Sequence, residues 1–154
     1  MTEIIIRPAI ATDIDTIRRL YHDVEANGSP EWRTEDNSPY TDRWIEDVIE
    51  GGPDDQAILV ATRNDEPVGY TWVLALVEFD TIEPRGHIAG VGVDESLRGQ
   101  GVGAQLVAAA EDWCRTRGLP EVSLHCYMNN TGAHRLYERL GFQDEWIRMR
   151  KALD

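Results

Sequence analysis

The run His87-Ile-Ala-Gly-Val-Gly-Val-Asp-Glu-Ser-Leu-Arg-Gly-Gln-Gly-Val-Gly-Ala-Gln-Leu-Val-Ala-Ala-Ala-Glu-Asp-Trp-Cys-Arg-Thr-Arg-Gly118 decides how this chain is read. Ile88 to Val93 is apolar and suited to a strand, a polar turn follows, and glycines then take every second position at Gly99, Gly101 and Gly103. Val102, Leu106, Ala109, Ala110, Trp113 and Cys114 recur at helical spacing, and Arg115, Arg117 and Gly118 supply a cationic last turn and a stop. The order is strand, glycine loop, helix. Glycines without Cβ let backbone N–H groups converge at a helix N-terminus, where unpaired donors and the positive end of the dipole favour a phosphate or pyrophosphate.

Three ligand classes use such a loop, and spacing separates them. A Walker loop ends in Lys followed by Ser or Thr, whereas the only lysine of this chain is Lys151. A dinucleotide fingerprint forced onto Gly99, Gly101 and Ala104 needs an acidic residue at the far end of the next strand, and Glu121 opens that strand instead. What remains, Arg98-Gly-Gln-Gly101-Val-Gly103, resembles the acyl-CoA pyrophosphate loop of the GNAT superfamily of N-acetyltransferases, written Gln/Arg-x-x-Gly-x-Gly/Ala. A second segment, Asn130-x-x-Ala133-x-x-Leu136-Tyr137-Glu-Arg-Leu140-Gly141-Phe142, resembles the Asn-x-x-Ala-x-x-Leu-Tyr-x-x-x-Gly-Phe stretch that follows the fifth strand in the same superfamily.

Composition narrows the partners. The 154 residues, 42% hydrophobic with five tryptophans, suit one domain over 1–154 with a real core. A net charge of −13 argues against nucleic acid and anionic membrane surfaces and suits a cationic acceptor, although charge alone reads more simply as a solvated acidic surface. Two cysteines, Cys114 and Cys126, make no disulfide framework and read as small buried residues. With no leader-like stretch and no apolar run of spanning length, a cytoplasmic protein is expected.

The rest of the chain supplies the frame. Ile4 to Ile6 reads as a strand, and Thr12 with Asp15 as a capping box for a helix carrying Ile14, Ile17, Leu20, Tyr21 and Val24. Asn27 to Tyr40 is turn-rich, and Thr41 caps a second helix with Trp44, Ile45, Val48 and Ile49 on one stripe. Ala57 to Thr62 and Val68 to Phe79 form a hairpin, Val122 to Tyr127 is a fifth strand, a helix follows Asn130, and Glu145 to Lys151 alternates as a last strand. The expectation is an α/β mixed sheet of about six strands with four helices, an order that matches the GNAT fold.

The resemblance implies a division of labour. Backbone N–H groups of Arg98, Gly99, Gln100, Gly101, Val102 and Gly103 hold the CoA pyrophosphate, the main chain of Val91 and Val93 pairs with the pantetheine arm, and Asn130 adds a side-chain hydrogen bond. Ala89, Gly90 and Gly92 allow the close approach of that arm. Acetyl-CoA is the cosubstrate, no metal is assigned, and a primary amine of a small molecule or peptide attacks the thioester directly. Tyr137 serves as general acid to the leaving thiolate, although an aromatic residue on a helix face reads equally as core. Many relatives carry Glu or Asp in this strand at the position of Ala89 or Gly90, neither of which can titrate, which leaves Glu78, Glu83, His87 and His125 as candidate bases, Glu78 and His87 foremost, beside a water-relayed route. Glu31, Trp32, Glu35, Asp36 and Tyr40 read either as a cation pocket or as an ordinary exposed loop. Room for one strand after Gly-Phe, where relatives often have two, bears on a homodimer contact. A non-catalytic acyl-CoA sensor is the rival reading.

Overall fold

Arg7 and Asp13 fix how the chain enters its first helix. Asp13 is buried, accepts both guanidinium nitrogens of Arg7 at 2.7 and 3.1 Å, and takes the Ile10 N–H at 2.8 Å. The Thr12 and Asp15 box expected is thus not the one found, for Asp13 takes the Ile10 N–H two residues earlier and is itself held by Arg7. In this computed structural model, which describes residues 2–33 and 37–153, β1 (Ile5–Pro8) leads through a 3-10 turn into α1 (Ile14–Gly28) and then α2 (Ser38–Ile49). There follow β2 (Gln56–Arg63), β3 (Glu66–Leu76), β4 (Arg85–Val93), α3 (Val102–Thr116), β5 (Val122–Leu124) and α4 (Thr131–Arg139).

The described strands make one mixed five-stranded sheet in chain order, antiparallel from β1 to β4 and parallel between β4 and β5. Asn64 and Asp65 close the β2–β3 hairpin with φ of 53° and 65°, the left-handed pair of a two-residue turn. Alternation along the strands sends Ile58, Val60, Tyr70 and Trp72 towards Ile17, Leu20 and Ile45 of α1 and α2. The opposite face receives α3, whose Val107, Ala110, Trp113 and Cys114 pack with Val73 and Ile88. Of the stripe predicted for α3, Val102, Leu106, Ala110, Trp113 and Cys114 are buried, while Val107 takes the core position expected of Ala109, which is only partly buried.

Several expectations need correction. The second helix opens at Ser38 with Pro39 in its first turn, where proline costs no hydrogen bond, and Thr41 lies buried inside it. β3 stops at Leu76 and β5 at Leu124, three residues before each predicted end. Cys126 therefore lies beyond the strand and is half-buried, whereas Cys114 is in the core. Glu145 to Lys151 forms no strand, for alternation sets which face a side chain takes but supplies no pairing partner. Ile147 and Met149 are exposed, while Trp146 packs edge-on to Phe79 and His125. Five strands, not six, is the count among the described residues. Of the residues proposed to line a cation pocket, Glu35 and Asp36 lie outside those described.

Candidate active site

A fork in the sheet sets the site. β4 and β5 pair only from Gly86–Val122 to Ile88–Leu124, so β4 has an unpaired edge from Ala89 to Val93 on that side. At the fork the β3–β4 register slips between Trp72 and Val73, leaving Ala89 as a bulge residue. Bulges bend a strand and free its backbone groups from the ladder, and they recur beside active sites.

At the far end of the open edge the glycine loop turns into α3. Gly99 and Gly101 hold φ of 76° and 85°, and a Cβ built at either would meet nothing within 4 Å. Left-handed geometry, rather than crowding, therefore requires glycine there. Gly103 differs, since a Cβ on it would stand 3.2 Å from Leu136 of α4. No side chain caps α3, so its first-turn N–H groups face outward at the positive end of a 15-residue helix. The Arg98 Nε donates to the Val93 carbonyl at 3.2 Å, which ties the loop to the strand end, and Gln100 Nε2 donates to the Ser96 carbonyl at 3.1 Å.

Gly90 and Gly92 serve a purpose different from the one expected. A Cβ on Gly90 would lie 2.7 Å from the Tyr70 hydroxyl, and one on Gly92 would strike the same ring. The missing side chains are filled by Tyr70, which is fully buried with its hydroxyl unpartnered among the described residues. Asn130 uses its side-chain oxygen to accept the Ala133 N–H at 3.3 Å and so caps α4. Its amide N–H groups stay free to donate to a ligand.

Tyr137 is half-buried against the α3 core and Phe142, and burial pushes its phenol up to about 12, with Cys126 adding to the effect. Its hydroxyl has no hydrogen-bond partner among the described residues. His134 and Glu138 of α4 and Asp144 beyond it bring ligand atoms within 4.8 Å of one another, but His134 and Asp144 already pair at 2.7 Å in the open, as surface ions do.

Three of the four base candidates, Glu78, His87 and His125, come together in space. Glu78 and His87 converge, 3.8 Å apart, with Ser123 between them. His125 stands edge-on to His87 with ring centroids 4.9 Å apart. Burial lowers the His87 pKa, His125 lowers it further, and Glu78 opposes both; the ring is neutral at pH 7. Two clefts flank this histidine. One, of about 490 Å³, is lined by Tyr21, Trp44, Asp47, Trp72 and Ala89 among others; the second, of about 460 Å³, by Glu78, Phe79, His125, Trp146 and Arg148. Sequence reasoning missed Ser123, Asp47, Trp72 and the Ala89 bulge. Of these, only the bulge had a signal, the small residues of β4. Trp32 and Tyr40, expected near the acceptor, are exposed and line neither cleft.

The profile of the acetyltransferase (GNAT) family matches residues 17–142, most of the chain, including β4, the glycine loop, α3 and α4. The chain belongs to the GNAT family. Among curated relatives, this GNAT protein is 36% identical over 86 residues to an uncharacterized N-acetyltransferase, YycN, of Bacillus subtilis, covering 56% of this chain and 54% of that one. A mycothiol acetyltransferase of Thermobispora bispora is 38% identical over 90 residues, 58% of this chain and 30% of the relative. The chain thus spans about half the length of the first relative and less than a third of the second. Among solved structures, the aminoglycoside N-acetyltransferase AAC(6')-Iy in complex with CoA superposes with a TM-score of 0.77 at 22% identity, covering 99% of this chain and 97% of that one. That is likeness of fold. No described helix of this GNAT domain is long and apolar enough to cross a membrane.

Proposed function

We propose that the protein is an acetyl-CoA-dependent N-acetyltransferase that acts on a primary amine of a small molecule or peptide. The observation that carries the reading is the continuity of the open β4 edge, which begins at the Ala89 bulge and ends at the uncapped N-terminus of α3. An extended thiol arm pairs with the main chain of Val91 and Val93, and its diphosphate meets the N–H groups from Arg98 to Gly103. The thioester then lies at the bulge, where a freed strand N–H polarises its carbonyl.

The first cleft opens on the same bulge through Ala89 and His87, and it admits the acceptor. An aliphatic ammonium holds its proton at pH 7 and must lose it before attack. His87, neutral and lining this cleft, takes it, while Glu78 reaches the imidazole from the other side. The amine adds to the carbonyl carbon, the tetrahedral intermediate collapses with cleavage of the C–S bond, and the second nitrogen proton passes to sulfur. A phenol held at about 12 faces a thiolate whose own value is near 8.5, so Tyr137 acts first as a hydrogen-bond donor to that sulfur and only conducts a proton supplied by the amine.

Calorimetric titration with acetyl-CoA, followed in the same sample by thiol release on adding tryptamine, spermidine, a lysine peptide or kanamycin, tests the reading. Binding with release is expected. Binding without release from any amine favours the non-catalytic sensor, and absence of binding refutes both.

A further inference from the structure

His87 is the only described residue that lines both clefts, and it is 8% exposed. Its Nδ1 lies 2.8 Å from the Ser123 Oγ, and the Ser123 hydroxyl donates to Glu78 Oε1 at 3.0 Å. A serine hydroxyl has one proton, and an ionised carboxylate only accepts. With that proton committed to Glu78, the 2.8 Å contact is a hydrogen bond only when Nδ1 carries the proton and the serine oxygen accepts it. Nε2 then keeps its lone pair.

We propose that Ser123 is a positioning residue that holds His87 as its Nδ1–H tautomer and thereby makes Nε2 the nitrogen that accepts the acceptor's proton. This rests on the acetyltransferase reading above. In the step, an ammonium N–H bond breaks with its electron pair left on the amine, the proton bonds to Nε2, and His87 becomes an imidazolium whose Nδ1–H still points at the serine. Glu78, 3.8 Å from Nδ1, balances the new charge through that hydroxyl. The proton later returns to water from Nε2. A nucleophilic serine is not the outcome of this geometry, because the carboxylate contacts the serine itself rather than the far nitrogen of the imidazole. The other ionisable groups that face His87 are His125 beyond β5, Arg148 of the C-terminal segment, and, across the first cleft, Tyr21 of α1 and Asp47 of α2.

The tautomer can be measured on the ligand-free protein by long-range proton–nitrogen NMR with 15N-labelled histidine, His87 being identified among the four histidines by its loss in His87→Gln. The wild type is expected to show the Nδ1–H form, Ser123→Ala the Nε2–H form that free side chains prefer, and Ser123→Thr, which keeps the hydroxyl, the Nδ1–H form again. An Nε2–H signal in the wild type, or an unchanged signal in Ser123→Ala, overturns the assignment. With whichever amine of the panel above is turned over, Ser123→Ala should lower kcat about tenfold, leave KM for acetyl-CoA within twofold, and move the acid limb of kcat/KM to lower pH, because the imidazolium loses its acceptor. Ser123→Thr should restore all three. An unmoved limb in Ser123→Ala refutes the positioning role. Failure of the wild type to bind acetyl-CoA would sink the acetyltransferase reading instead, and the spectra keep the two failures apart.

Discussion

Tyr137 and Asp13 show how one side chain's surroundings set its use. Burial keeps the Tyr137 phenol protonated, so the wild-type enzyme should show no alkaline loss of kcat from this residue until the pH approaches about 12. Tyr137→Phe should lower kcat by roughly one to two orders of magnitude with little change in KM for acetyl-CoA, since the hydroxyl is needed mainly as sulfur gathers charge. Steady-state kinetics on the two proteins check both, and equal kcat values would remove Tyr137 from the mechanism. Asp13 is a structural counterpart. Burial pulls its pKa up, but the paired Arg7 guanidinium and the Ile10 N–H outweigh burial, and the net shift is downward. A carboxyl with a depressed folded-state pKa contributes stability that is present above its unfolded value, near 3.9, and is lost as pH falls through the lower folded value. Asp13→Ala should therefore cost roughly 2 kcal/mol in urea melts at pH 7, and progressively less as pH falls through the depressed folded-state value.

The glycine loop and its helix illustrate what an element contributes beyond its residues. Gly101→Asp should abolish acetyl-CoA binding in calorimetry while leaving the far-UV spectrum intact, for it puts a carboxylate and a strained left-handed residue at the mouth of the α3 N-terminus. Retained affinity would mean that the diphosphate sits elsewhere. This element was legible in the sequence because every part of it is local: glycine at positive φ, a stripe at helical spacing, a cationic last turn. The hairpin at Asn64-Asp65 was legible for the same reason. The sixth strand was not, since alternation from Glu145 to Lys151 states which face each side chain would take but says nothing about whether a neighbour exists to pair with. β5 ends at Leu124, and no described residue from Glu145 to Lys151 pairs with it. Ser123 was hidden likewise. Its meeting with His87 depends on the β4–β5 register, His87 opposite Ser123, which only the folded sheet defines. The small residues of β4 were noticed but given the wrong occupant, for nothing local said that Tyr70 fills the space over Gly90 and Gly92.

On the scale of the molecule, charge and topology act together. A net charge of −13 places the whole protein in repulsion with a polyanionic cosubstrate and in attraction with a cationic acceptor. The two should respond oppositely to added salt: from 20 to 200 mM NaCl, kcat/KM for a polycationic amine such as spermidine should fall several-fold while the association rate of acetyl-CoA rises or holds. Stopped-flow mixing measures the second and initial rates the first; parallel trends would show that local fields at the site outweigh the global one. Topology adds a hazard. Sheet edges are ordinarily blunted by charge or proline so that they do not recruit a stray strand from another molecule, yet Ala89 to Val93 has neither. An edge kept bare for a ligand is equally bare for a misfolded neighbour. Were the cosubstrate arm to lie along this edge as proposed, it would also guard against self-association, and chains newly made or stripped of it would be the ones to clump.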